Sequence, residues 1–437
     1  MPFTSFSDTL SYLYSLLPMY QRQGASAFKK GLANTLQLCE ALGNPQKHFK
    51  AIHIGGTNGK GSVSSMLCSV LMEAGYKVGL YTSPHLVSFT ERMRVNGKQL
   101  PEEQVIQFVN NHQALIEEIQ PSFFELTVAM AFHEFARQKV EVAVVEVGLG
   151  GRLDSTNILL PALSVITNIS YDHQAMLGET LTEIAGEKAG IIKEKVPIVI
   201  GESHPESKPV FLAKSQEKGS PIIFADQAYI LENSQIHATG QELILRKQKD
   251  PGTSLRFTID LVGTYQQPNL ITALTSLDVL KKMNWPIEQK YIISGLNSVS
   301  LNTGIKGRME MLQSSPLTYC DVGHNEAGVQ AIFQQISHMG VGELWVIWGM
   351  VKDKQHENIL NILPKGANYF WVRPEVPRGL ETDILQEKAL QAGLRGEAMP
   401  DIETAWEQCI SQAAKDALIF IGGSTFTVAD ALSKISF

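Results

Sequence analysis

Ala51-Ile52-His53-Ile54-Gly55-Gly56-Thr57-Asn58-Gly59-Lys60-Gly61-Ser62 opens as an apolar strand, breaks into glycines and runs on into a helix. Downstream, Val63, Met66, Leu67, Val70 and Leu71 recur at helical spacing. The glycines let the backbone turn tightly and aim several N–H groups at one anion. A helix starting near Ser62 adds the positive end of its dipole, and Lys60 adds a mobile point charge. Thr57, Asn58, Gly59, Lys60, Gly61 and Ser62 therefore read as a phosphate-binding loop. The spacing departs from the usual G-x-x-x-x-G-K-[ST], because position 54 is Ile and Gly61 separates Lys60 from Ser62. The bland alternative is a glycine-rich strand-to-helix turn that holds no ligand.

A second element supports the phosphate reading. Val142-Ala143-Val144-Val145 is continuously apolar, as a strand buried on both faces would be, and it ends in Glu146. An acidic residue at the carboxyl end of a buried parallel strand is where phosphate-loop proteins place a magnesium-side carboxylate. Otherwise Glu146 is a solvated strand end or half of an ion pair.

Working outward, strand candidates at 77–81, 163–166, 198–200 and 222–224 alternate with helical patterns at 102–119, 125–138 and 182–195. This alternation argues for a parallel sheet flanked by helices. Between 228 and 262, short alternating runs read as antiparallel strands decorating that sheet, and helices follow at 268–282 and 287–297. The stretch SVSLNTGIKG (298–307) lacks apolar period and reads as a linker. Strands at 318–321, 344–348, 369–372 and 418–421 then restart the rhythm. The fold class is α/β. An N-terminal P-loop domain with a mostly parallel sheet (1–297) precedes a smaller, C-terminal Rossmann-like α/β domain (308–437).

Composition removes other classes. The 437 residues are 44% hydrophobic and 19% charged, which excludes a largely disordered chain. A net charge of −7 argues against a wide nucleic-acid surface. No apolar run reaches the ~18 residues of a membrane span. Cys39, Cys68, Cys320 and Cys409 lie far apart with no CxxC pair, which predicts inert thiols in a reducing compartment. The N-terminus has no basic leader and reads as a first helix. A cytoplasmic protein without nucleic-acid or membrane partners is expected.

The motifs GTNGKGS (56–62), YTSPHL (81–86), EVGLGGRLDSTN (146–157), DH (172–173) and EKAGIIK (187–193) resemble the folylpolyglutamate synthase/dihydrofolate synthase family of the Mur-ligase superfamily. GTYQQPN (263–269), GRME (307–310), DVGHN (321–325), GMVKDK (349–354) and GGSTFT (422–427) extend the resemblance over both domains. It implies an ATP-dependent ligase that activates the carboxylate of dihydropteroate or a folate as an acyl phosphate. L-glutamate is then joined to it by an amide bond.

By the same resemblance, residues 57–60 cradle ATP. Ser83 and Glu146 hold one Mg²⁺, and Glu146, His173 and a carbamylated Lys188 hold a second. Ser62 is the ligand expected from ordinary phosphate-loop logic, and it ranks below Ser83. Without the resemblance His173 is a core or surface histidine and Lys188 a solvated charge, with Lys193 its local competitor. Asn269 would reach the adenine and Arg308 the phosphates. Asp321 would contact ribose or phosphate, and His324 and Ser424 would face L-glutamate. ATP ligands on both sides of the linker imply closure about 298–307. Pteroate would bind Arg22, Gln23, Gly24, Ser122, Phe123, Phe124, Glu125, Leu153, Asp154 and Ser155. Phe123 and Phe124 read equally as core residues at a helix start.

Lys60, Glu146, His173, Lys188 and His324 form the expected catalytic set, and the protein is expected to be a monomer. A GTPase switch lacks its N-K-x-D segment here. A cell-wall Mur ligase acting on another carboxylate and amino acid would need a further N-terminal domain, whereas 50 residues precede Ala51.

Overall fold

The structure, a computed structural model, describes residues 2–18, 31–352 and 356–437. It contains two compact units. The first comprises 1–234, 242–259 and 267–305, and the second 235–241, 260–266 and 306–437.

In the first unit eight strands form one sheet: β1 (Lys50–Gly55), β2 (Val78–Tyr81), β3 (Met93–Val95), β4 (Lys98–Gln99), β5 (Val142–Glu146), β6 (Leu163–Ile166), β7 (Ile198–Ile200) and β8 (Ile222–Phe224). Their order is β4-β3-β2-β5-β1-β6-β7-β8. From β2 to β8 all neighbours are parallel, and β3 and β4 add an antiparallel edge. The central strands β2, β5 and β6 are buried along their whole length, which is why they read as continuous apolar runs. Chain order reverses around β1: the helix Lys60–Glu73 leads away to β2, and β5 returns between them. Such a switch point opens a crevice at the carboxyl ends of the strands.

The helix Lys60–Glu73 is buried from Gly61 to Leu71. On it packs the helix Gln289–Asn297, close enough that a Cβ on Gly295 would sit 2.5 Å from Val70 Cα. The stretch expected to be a bare linker begins as a helix, Val299–Thr303, belonging to the first unit. Val299 and Thr303 are buried one turn apart, a pattern too short to stand out as a period.

β9 (Tyr229–His237), β10 (Gly240–Lys247) and β11 (Asp250–Ile259) form a separate three-stranded sheet and do not extend the large one, which corrects the expectation of decorating strands. Their two-residue connections are those of antiparallel hairpins.

The second unit carries β12 (Glu310–Ser314), β13 (Leu317–Cys320), β14 (Leu344–Trp348), β15 (Asn368–Trp371), β16 (Gly396–Ala398) and β17 (Leu418–Gly422), in the order β12-β13-β17-β14-β15-β16. Only β12 is antiparallel to its neighbour. β17 enters between β13 and β14, making a second switch point. All four cysteines are free and buried. Burial pushes the thiols of Cys39, Cys68 and Cys409 up to about 12, so none is a ready nucleophile.

Candidate active site

At the first switch point the chain leaves β1 through Gly56, whose φ of +136° suits glycine. A Cβ there would fall 1.9 Å from Thr167 Oγ1. The loop is held from β6's carboxyl end: Thr57 N–H donates to Asn168 O at 2.9 Å and Asn58 N–H to Asn168 Oδ1 at 3.0 Å. Thr167 Oγ1 donates to Asn58 O at 2.5 Å, and Thr57 Oγ1 to Ser170 O at 3.2 Å. Thr167, Asn168 and Ser170 were not singled out from the sequence. Their signal was the apolar run 163–166, whose carboxyl end lies beside β1.

Gly59 caps the helix at φ +81°, with Asn269 Oδ1 2.2 Å from where its Cβ would stand. Asn269 thus lies against the loop. Lys60 Nζ donates to Thr57 O at 2.9 Å, and Lys188 Nζ to Gly56 O at 2.9 Å. Lys188 is 4% exposed. Burial first, then the Lys60 charge, lower its pKa from 10.5 to about 7, against the pull of Asp172 and Asp154. Ser62 Oγ is buried and has no hydrogen-bond partner among the described residues.

One strand over, Glu146 pairs in register with Ile54 and is 5% exposed. Its Oε2 accepts the N–H of Ser83 at 3.2 Å, which ties the turn after β2 to the end of β5. Glu91 secures that turn by accepting the N–H groups of Leu86, Val87 and Ser88 at 2.8–2.9 Å. His173, at φ 52°, precedes the helix Gln174–Leu177, with Nε2 3.7 Å from Asp172 Oδ2. Lys193 lies elsewhere, donating to Asn157 O at 2.7 Å.

The proposed pteroate residues divide by what they touch. Arg22, Gln23 and Gly24 lie outside the described residues. Ser122 and Glu125 form a capping box on the helix Phe123–Arg137: Ser122 N–H donates to Glu125 Oε2 at 2.6 Å and Glu125 N–H to Ser122 Oγ at 3.2 Å. Phe123 is 2% exposed in the core, its ring edge-on to Phe89 at 5.7 Å. Phe124 is partly buried, with its ring where a Cβ on Gly148 would be, 2.3 Å away. Leu153 is partly exposed, and Ser155 begins the 3-10 turn Ser155–Ile158. Asp154 is 3% exposed and accepts Leu149 N–H at 2.8 Å and Thr156 N–H at 3.0 Å. Burial raises its pKa, and these hydrogen bonds oppose the rise.

The second unit gathers its own set. Asp321, just past β13, accepts Tyr265 OH at 2.5 Å, Met309 N–H at 2.8 Å and Gly323 N–H at 2.8 Å. Burial raises its pKa, while the Arg308 charge pulls it down. Tyr265 was absent from the expected site. His324 Nδ1 lies 2.9 Å from Val322 O, and Asn325 caps the helix Glu326–His338. Ser424 caps the helix Thr425–Lys434, accepting Thr427 N–H at 3.0 Å.

Comparison with known proteins agrees with this architecture. The Mur ligase middle domain matches residues 54–277, and the Mur ligase, glutamate ligase domain matches 307–425. A dihydrofolate synthase/folylpolyglutamate synthase of Bacillus subtilis (strain 168) is 32% identical over 99% of this chain and 100% of its own length. One from Escherichia coli (strain K12) is 31% identical, covering 87% of this chain and 86% of its own. Among solved structures, Mycobacterium tuberculosis folylpolyglutamate synthase complexed with ADP superposes with a TM-score of 0.87 at 30% identity, covering 98% of each chain. A bifunctional folylpolyglutamate synthase/dihydrofolate synthase with Mn, AMPPNP and L-glutamate bound gives 0.83 at 27% identity, again over 98% of each chain. With both Mur ligase domains matched in order and full-length relatives above 30% identity, the chain belongs to the folylpolyglutamate synthase/dihydrofolate synthase family of the Mur ligase superfamily.

Proposed function

We propose that this chain is an ATP-dependent ligase joining L-glutamate to the carboxylate of dihydropteroate and of reduced folates, releasing ADP and phosphate. One observation carries the reading in a chain of this family. Lys60 and Lys188 each donate to a carbonyl of the same glycine loop, Thr57 O and Gly56 O, beside a helix N-terminus. The Lys60 ammonium, the loop N–H groups and the helix N-terminus create a positive potential that a polyphosphate relieves, while Lys188, buried beside Lys60, is held toward its neutral form.

The donors fit a hard divalent cation. Glu146 offers a carboxylate, Ser83 is tied to it through its N–H, and Ser62 Oγ is buried without a partner among the described residues. Ser83 and Glu146 would hold one magnesium ion. Glu146, His173 and Lys188, as a carbamate, would hold a second. Carbamylation needs a neutral amine, and Lys188's lowered pKa supplies one near neutrality. When bound, magnesium supplies charge screening between the phosphates and an incoming carboxylate.

The chemistry then follows from positioning. The loop N–H groups and Lys60 orient the triphosphate so that the pteroate carboxylate attacks the γ-phosphorus in line. The acyl phosphate so formed is attacked by the glutamate amine, and phosphate leaves. No enzyme nucleophile is required, in keeping with buried thiols of raised pKa. Asn269 contacts the adenine. Arg308 reaches the phosphates and Asp321 the ribose or a phosphate, and His324 and Ser424 serve the glutamate. Phe124 offers a flat wall for the pterin. The 1–297 and 308–437 segments act as the nucleotide-and-pteroate and glutamate-ligase domains, in a cytoplasmic monomer.

The test is phosphate release from ATP and Mg²⁺ with L-glutamate, run separately with dihydropteroate and with tetrahydrofolate and read alongside product mass. Glutamylated product from both establishes the bifunctional enzyme, and from one only a monofunctional enzyme. Product from neither overturns the reading in favour of a Mur-type ligase for another carboxylate.

A further inference from the structure

His53 is a fully buried histidine on β1 that the chemistry above does not use. Its Nε2 lies 2.8 Å from Thr156 Oγ1, across 103 residues of sequence. Thr156 Oγ1 in turn donates to Asp154 Oδ1, which also accepts Thr156 N–H at 3.0 Å, while Asp154 Oδ2 accepts Leu149 N–H at 2.8 Å. The directions follow from counting protons. Asp154 acts as an acceptor on both oxygens, so the single hydroxyl proton of Thr156 points to Asp154. The lone pair of Thr156 Oγ1 then faces His53, whose Nε2 must carry the proton. His53 Nδ1 is left as a bare lone pair, buried and without a partner among the described residues.

We infer that His53, as the neutral Nε2–H tautomer, is a positioning residue that orients Thr156 and through it Asp154, locking the loop from Gly148 to Thr156 onto the strand that carries the phosphate loop. The consequence for pteroate rests on the function proposed above. The loop begins two residues after Glu146, and Gly148 makes room for the Phe124 ring. A clasp on β1 therefore sets where that ring and Ser155 stand relative to the phosphates. Burial, and then the charge of Lys193, hold the imidazole's pKa down at about 3, so the ring stays neutral throughout the working pH range and the hydrogen bond to Thr156 selects its tautomer.

Two substitutions separate this from mere filling of space. His53→Gln keeps an N–H donor near the Nε2 position, and His53→Met keeps the bulk without a donor. In the full-length chain, hydrogen exchange at Leu149 and Thr156 should quicken by about tenfold or more in His53→Met and stay within about threefold in His53→Gln. KM for dihydropteroate should rise about tenfold in the Met variant with KM for ATP little changed, and the Gln variant should recover it. Equal behaviour of the two variants overturns the proposal. Selective ¹⁵N-histidine NMR of the wild-type chain decides the tautomer even where a variant fails to fold: an Nδ1–H signal for His53, or titration between pH 5 and 9, overturns it too. Lack of turnover with any pteroate strikes the ligase reading alone, since exchange and tautomer need no substrate.

Discussion

Lys188 allows a quantitative test. Its ammonium form is buried beside Lys60, and its pKa falls from 10.5 to about 7. At pH 7 about half the population then carries a neutral amine, against about one in 3,000 for a solvated lysine. The carbamylation rate should exceed that of surface lysines by a comparable factor at neutral pH. The perturbation is Lys188→Met, with and without ¹³C-bicarbonate, followed by ¹³C NMR from pH 6 to 9. A carbamate signal that grows as pH passes about 7 and vanishes in the variant is expected. Ligase activity lost in Lys188→Ala should return in part with a small exogenous carboxylate. Stability supplies a second readout. Above pH 7 the unfolded chain binds more protons at this group than the folded chain, so stability rises with pH up to about 10.5. Below pH 7 the full cost of the buried charge applies, about 5 kcal/mol for such a shift. Part of that cost is offset in the variant, which leaves Gly56 O without its donor. Lys188→Met should therefore unfold later than bicarbonate-free wild type at pH 6 and lose the upward slope between pH 7 and 10. A wild-type lysine titrating near 10.5, or a carbamate signal that survives the substitution, refutes the reasoning.

Other predictions concern the same strand ends. Glu146→Gln keeps a neutral acceptor for Ser83 N–H but removes the carboxylate charge. It should cut magnesium-dependent turnover by about 10³ with thermal stability little changed, as measured by coupled phosphate release and calorimetry. Near-normal activity would remove Glu146 from the site. Gly59→Ala meets both a φ of +81° and Asn269 Oδ1 at 2.2 Å. The dihedral alone costs about 1–2 kcal/mol. ATP affinity by calorimetry should fall at least about tenfold, and adding Asn269→Ala should recover the contact's share but not the dihedral's. Arg308→Ala should raise KM for ATP more than Kd for dihydropteroate, and the reverse pattern would relocate Arg308.

The strand, glycine turn and helix of 50–73 were legible because each carries a local signal: an apolar run, a gap and a period. The place of Glu146 at a strand's carboxyl end was legible because a lone carboxylate ends an otherwise apolar run. What escaped depends on partners distant in sequence. Thr167 and Asn168 matter because β6 lies beside β1, a neighbour relation that periodicity does not report. Tyr265 matters because residues 260–266 join the second unit and bring its hydroxyl to Asp321, 56 residues on. Ser122 and Glu125 carry a second, local signal as well. Ser122-x-x-Glu125 ahead of an apolar helix is itself a capping signature, and both side chains take that role.

The same kind of local constraint bears on why EVGLGGRLDSTN (146–157) is so specific a motif. Of its residues, Glu146 presents its carboxylate at a strand end. Gly148 yields space to Phe124, and a Cβ on Gly151 would lie 2.9 Å from Glu187 O. Arg152 pairs with Glu187 at 2.8 Å, and Asn157 Nδ2 donates to Arg152 O at 3.0 Å and Gly190 O at 3.1 Å. Asp154 and Thr156 close the loop on itself and on His53. Most positions after Glu146 are therefore constrained by packing or by a directed hydrogen bond, while Glu146 itself is set by its strand register beside Ile54 and by Ser83 N–H. Asp154 and Thr156 are bound up in hydrogen bonds that close the loop, so substitutions there should quicken loop exchange at Leu149 and Thr156.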